Sequence, residues 1–191
     1  MTVTMKDIVT FSVPDEVINE AMQMRAKRDA IYGNIYQESS TDMRYVGDLG
    51  EIVINRAFTM CKPESTIWHN QLDAAGDHDF DFCSLPIEVK TVKRKVPLRL
   101  HYKAQITARH MSKSADWLIF TCYEFPRKLL LIKGVMHIND FKDKAEYFKA
   151  GDQVHENYTI REGHEIYAVS IPDMMPFREF VKKAMNSEIT T

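Results

Sequence analysis

The stretch GDHDFDFCSLPIEVKTVKRK, residues 76–95, decides how this chain reads. Aspartates occupy alternate positions at 77, 79 and 81, and the residues 79–83 and 87–92 alternate at period two around Ser84-Leu85-Pro86. That pattern predicts a β-hairpin. In a strand, positions 79 and 81 point to one side, and so do 88 and 90. The folded hairpin therefore gathers Asp79, Asp81, Glu88 and Lys90 on one face. Carboxylates that close oppose one another's ionisation unless a cation neutralises them. Hard oxygen donors suit Mg²⁺ or Mn²⁺, which take one or two carboxylates plus substrate phosphate. A lysine two residues beyond the glutamate stands where it can orient a water or steady developing negative charge.

A basic run follows at once. Lys90, Lys93, Arg94, Lys95, Arg99 and Lys103 occur with no acid among them. Such a run can track a phosphate backbone. Each feature alone has a plainer reading. Glu88 and Lys90 could be an exposed ion pair contributing less than about 1 kcal/mol, and the basic run a solvated face. Together they form the kit that phosphodiester hydrolysis needs: a charge clamp, an activated water and a surface for a polyanion.

Outward from the hairpin, the periodicity predicts an N-terminal helix over 12–32, with Ser12 and Asp15 as a capping box, and a second helix over 42–60. A polar connector, GNIYQESSTDM, separates them, with Gly33 as the helix stop. A short strand is expected at 66–70, a helix over 102–112 carrying Gln105, and buried strands at 116–124 and 128–138. A helix over 139–149, a strand over 165–171 and a helix over 176–185 complete the chain. Helices at both ends with strands between them imply an α/β fold around one mixed sheet.

Composition sets the limits. At 191 residues, 45% apolar and 27% charged, the chain suits one globular domain spanning 1–191. No apolar run approaches the roughly 20 residues of a membrane helix, and no signal peptide is evident, so no membrane partner is expected. Cys61, Cys83 and Cys122 are odd in number and widely spaced, which fits free thiols and a cytoplasmic setting. The net charge of -2 excludes an indiscriminate polycation. There is no Walker A loop, no GxGxxG and no GxSxG. The seven histidines show no pair at ligand spacing and no HExxH, so no zinc site is expected.

Asp79, eight intervening residues and Glu88-Val89-Lys90 resemble the catalytic core of the PD-(D/E)xK, or restriction-endonuclease-like, nuclease superfamily. GDLGE at 47–51 is similar to that family's first motif, a helix-borne glutamate matched by Glu51, with Gly47 and Gly50 allowing close approach to the sheet. Gln105 followed by the strand ADWLIF also resembles the family's order of helix, three strands, helix, strand. GVMHINDFKDKAEYFKAGD is similar to a C-terminal segment of some compact phage or plasmid members. The core resemblance covers about 42–124, with the helix at 12–32 and residues 128–186 as elaborations.

What the resemblance implies is a restriction-endonuclease-like fold (α-β-β-β-α-β) and a Mg²⁺- or Mn²⁺-dependent endonuclease acting on DNA in a bacterial or phage-infected cell. Asp79 and Glu88 would bind the metal, Glu51 would complete or support the site, and Lys90 would position the attacking water, leaving a 5′ phosphate as in most relatives. Asp77 and Asp81 are rivals or neighbours at the ligand position, and Gln105 is a neighbour of the site. Lys93, Arg94, Lys95, Arg99 and Lys103 would hold nucleic acid. The size is compatible with a homodimer or with a nicking or structure-specific enzyme. The alternative is a DNA-binding or assembly module that keeps the fold without turnover.

Overall fold

A computed structural model describes residues 2–33, 43–69, 78–108, 111, 115–155 and 158–189. The expected hairpin is its centre. Strand β3 (Phe80–Phe82) pairs antiparallel with β4 (Leu85–Arg94), Phe80 opposite Ile87 and Phe82 opposite Leu85. The turn falls on Cys83 and Ser84, with φ of 53° and 66°, earlier than expected. Two consecutive positive φ values match the strand twist, so β4 begins at Leu85 and Pro86 lies within it.

Around this hairpin the main sheet has six strands in the order β1-β7-β6-β4-β3-β2. Here β1 is Val9–Ser12, β2 Thr66–Trp68, β6 Trp117–Glu124 and β7 Leu129–His137. Only β4 and β6 run parallel, so the sheet is mixed, as expected. Helices α1 (Asp15–Tyr32) and α2 (Tyr45–Cys61) cover one face, and α4 (Phe177–Met185) joins them there. Ile54, Ala57 and Phe58 of α2 share a core with Ile87 and Val89, Phe58 stacking on Phe82 at 4.1 Å. Val17, Ala21 and Met24 bind α1 to Leu49, Ile52 and Val53 of α2. Helix α1 starts later than expected. Ser12 closes β1 and makes no cap, and Asp15 follows Pro14; Gly33, at φ 68°, ends the helix as expected.

The other face carries a second sheet together with a short helix, whose Phe141 stacks on Phe120. Strand β5 (Lys103–Thr107) stands where a helix over 102–112 was expected, so the α-β-β-β-α-β order is not reproduced in the described residues. The reason is visible in KAQIT, whose Ala104 and Ile106 are buried while Lys103, Gln105 and Thr107 are half-exposed. That is a period of two, and β5 satisfies its backbone on β11 (Ile166–Ser170). Strand β8 (Glu146–Phe148) takes the other edge of β11, which cuts the expected helix over 139–149 short as α3 (Ile138–Lys144). A small hairpin of β9 (Gln153–His155) and β10 (Tyr158–Thr159) completes the described elements. Ala104, Ile106 and Val169 pack with Leu118, Phe120 and Cys122 of β6, so β4 and β6 are buried between helices and a second sheet.

Candidate functional site

Helix α2 comes unusually close to the sheet at one point. A Cβ added to Gly50 would lie 1.9 Å from Thr91 Oγ1 on β4 and 3.4 Å from Thr121 Oγ1 on β6. Those hydroxyls bond each other at 2.8 Å beneath the helix. Gly50 is therefore the expected point of close approach, whereas nothing lies within 4 Å of a Cβ at Gly47.

The acids flanking Gly50 are clamped by α1. Asp48, fully buried, accepts hydrogen bonds from Arg25 Nε and Arg28 Nη1, both at 2.7 Å. Arg28 also grips Glu51 with both nitrogens, Nη1 to Oε1 at 3.1 Å and Nη2 to Oε2 at 3.0 Å. Burial raises the pKa of Asp48, with Arg25 and Arg28 pulling the other way and Glu51 adding to the rise. Burial also works against the charge on Arg28. Its hydrogen bonds to Glu51, reinforced by the carboxylates of Asp48 and Asp79, nevertheless hold its pKa above the usual value. Arg28 is thus the electrostatic link between α2 and the hairpin.

Asp79 stands just before β3. Its backbone N–H bonds Ile87 O at 2.9 Å, and its carboxylate Oδ2 accepts the Val89 N–H at 2.7 Å. The hairpin register places it opposite Glu88. Glu88 is only 3% exposed, and its carboxylate pairs with Lys90 Nζ. Because Ile87, Val89 and Thr91 face α2, alternation puts Glu88 and Lys90 on the other face, beside their register partners Leu118 and Phe120. Asp79, just before β3, is across the register from Glu88, and its charge acts on Arg28.

The other candidates distribute unevenly. Asp81 shares the expected face but turns to two histidines, His69 Nε2 at 2.7 Å and His78 Nε2 at 3.0 Å. One nitrogen from each ring and a carboxylate oxygen of Asp81 lie within 4.8 Å of one another. Gln105 sits on a strand paired with Ala168, in the second sheet, and not on a helix. Asp77 lies outside the described residues. Of the basic run, Lys93, Lys95 and Arg99 are exposed, while Arg94 lies over the Tyr102 ring at 4.0 Å and Lys103 pairs with Glu146.

Arg25, Arg28 and Asp48 escaped the sequence reading. The available signal was a complementary spacing: two arginines three apart on α1 and two acids three apart on α2, each pair on one helical face. Asp81 was expected near the site, but its meeting with His69 left no signal, because the β2–β3 pairing alone brings His69 to it.

Asp79, just before β3, and Glu88, on β4, carry the hard oxygen donors that a divalent cation takes. Arg28 holds both oxygens of Glu51, one hydrogen bond to each, which leaves each oxygen a further lone pair. No protein-family model matches the chain, and no curated protein resembles it significantly.

Proposed function

We propose that this chain is a divalent-metal-dependent nuclease that hydrolyses DNA phosphodiester bonds. The observation that supports this most is the position of Asp79, docked on the Val89 amide opposite the buried Glu88–Lys90 pair. A structural ion pair needs no second carboxylate at its side, whereas a metal site does. Asp79 and Glu88 would hold Mg²⁺ or Mn²⁺, with Glu51 as support through Arg28. When bound, the cation supplies charge neutralisation at the scissile phosphate and acidifies the attacking water.

The chain's own groups do the rest. Lys90, paired with Glu88 in this structure, would hold the attacking water and steady the phosphorane charge. Lys93 lies further along β4, with Lys95 and Arg99 beyond its end; all three are exposed, and a phosphate backbone would run along them. Strand β3 pairs with β4 only from Leu85 to Ile87, so beyond the Asp79 contact β4 has no strand partner on that side among the described residues. That edge is where the polyanion would approach.

The test is cleavage of plasmid, linear, single-stranded and branched DNA with Mg²⁺, Mn²⁺ or EDTA. Metal-dependent cutting of any of them is expected, and the preferred substrate defines the class of enzyme. DNA binding without cutting under either metal would assign the chain to a silent binding or assembly module. Neither binding nor cutting would overturn both readings.

A further inference from the structure

We propose that His69, His78 and Asp81 form a separate transition-metal site, taking a borderline divalent cation such as Zn²⁺. The inference does not depend on the nuclease reading, because it uses none of the side chains of Asp79, Glu88, Lys90 or Glu51. Its basis is convergence. His69 follows β2, its N–H bonded to Asp79 O at 2.9 Å, which fixes it diagonally across from Asp81 on the neighbouring strand. His78 reaches the same carboxylate from three residues upstream. The two rings meet edge to face, with centroids 4.7 Å apart.

Both imidazoles direct Nε2 at the carboxylate, one to each oxygen. With metal–ligand bonds of about 2.0–2.1 Å, adjacent ligand atoms in a tetrahedral or octahedral shell lie roughly 3–3.4 Å apart. The two nitrogen–oxygen separations, 2.7 and 3.0 Å, are close to that spacing, and one donor atom from each of the three residues lies within 4.8 Å of the others. Two imidazoles and one carboxylate are a borderline donor set, which favours Zn²⁺ or Co²⁺ over Mg²⁺. All three side chains are 20–30% exposed, so the remaining coordination positions are open to water. Asp81 lies on the same face of the hairpin as Glu88, two positions along the strand from Asp79.

The experiment is titration of metal-stripped protein with Co²⁺ in the presence of excess Mg²⁺, following the visible d–d absorption, then displacement by Zn²⁺. One equivalent of Co²⁺ is expected to bind, resist Mg²⁺ and yield to Zn²⁺. His69→Ala and His78→Ala should each abolish the spectrum, and Glu88→Gln should retain it. Asp81→Asn serves as a third probe, and metal-free thermal melts establish that each variant is folded. Absence of a Co²⁺ spectrum in wild type overturns the proposal. So does a spectrum that survives in either folded histidine variant, or one that is lost in folded Glu88→Gln.

Discussion

Asp79 accepts the Val89 backbone N–H at 2.7 Å, taking on β4 the place that a strand carbonyl would otherwise occupy. One side chain thus ends the β3–β4 ladder and puts a carboxylate against the strand that carries Glu88 and Lys90. Replacement by alanine leaves that amide without its acceptor, and an unmet partly buried donor costs about 1–3 kcal/mol. Asp79→Asn keeps an acceptor oxygen and loses only the charge. Urea denaturation is expected to show Asp79→Ala destabilised by that amount and Asp79→Asn close to wild type. Both should lose metal-dependent cleavage.

Gly50 and Gly47 provide a matched pair on one helix. Alanine at Gly50 places its Cβ 1.9 Å from the Thr91 hydroxyl and 3.1 Å from Thr91 Cβ. Overpacking of this kind costs about 1–3 kcal/mol, more than the helix propensity gained. At Gly47 the space is open, and alanine gains about 1 kcal/mol in a helix interior. Thermal melts should therefore move in opposite directions for Gly50→Ala and Gly47→Ala.

Arg28 neutralises two acids at once. Arg28→Met leaves Glu51 without its clamp and Asp48 with Arg25 alone, and breaking such a buried pair costs about 3 kcal/mol. The pH dependence has a definite sign. Asp48 has a raised pKa in the fold, so the native state holds its proton more tightly than the unfolded chain, and protonation relieves the missing partner. The deficit of Arg28→Met relative to wild type should shrink as pH falls into the carboxylate range. A deficit independent of pH would show that lost packing, and not charge, dominates.

Lys133 gives a prediction remote from the site. It is 1% exposed in the middle of β7, at the bulge opposite Phe120 and Thr121, and its Nζ has no hydrogen-bond partner among the described residues. Burial lowers its pKa to about 8 from an ordinary 10.5. Between those values the unfolded chain binds more protons than the native state, so stability rises with pH through that window. The gain is roughly 3 kcal/mol at most, at 1.36 kcal/mol per pH unit. Lys133→Met is expected to be more stable than wild type at pH 7, with the difference shrinking by pH 10. Denaturation midpoints at several pH values measure both.

Much of the fold was legible where one period dominates. The α2 stripe was expected as Val46, Leu49, Ile52, Val53, Ala57 and Met60, and all but Met60, 85% exposed near the helix end, are buried; the largely apolar runs of β6 and β7 are buried along most of their length. The hairpin was legible because Phe80 and Phe82 are core residues and the acids between them are not. Strand β5 was not, because Tyr102 to Ser112 mixes polar and small residues that suit a helix equally well. Its state is set by the edge of β11, sixty residues later in the chain. The pairing of Glu88 with Lys90 was local enough to foresee. The clamp of Arg28 on Glu51 and the turn of Asp81 toward His69 and His78 were not, since each depends on two elements meeting in space.

The most direct test of the central claim compares wild type with Glu88→Ala and Lys90→Ala in Mg²⁺-supported DNA cleavage, alongside salt-dependent DNA binding. The account predicts that both variants stay folded and bind DNA, while cleavage falls by at least about 100-fold, as expected when a group acting on transition-state charge is removed. Wild-type rates in either variant, or cleavage unaffected by EDTA, would contradict it.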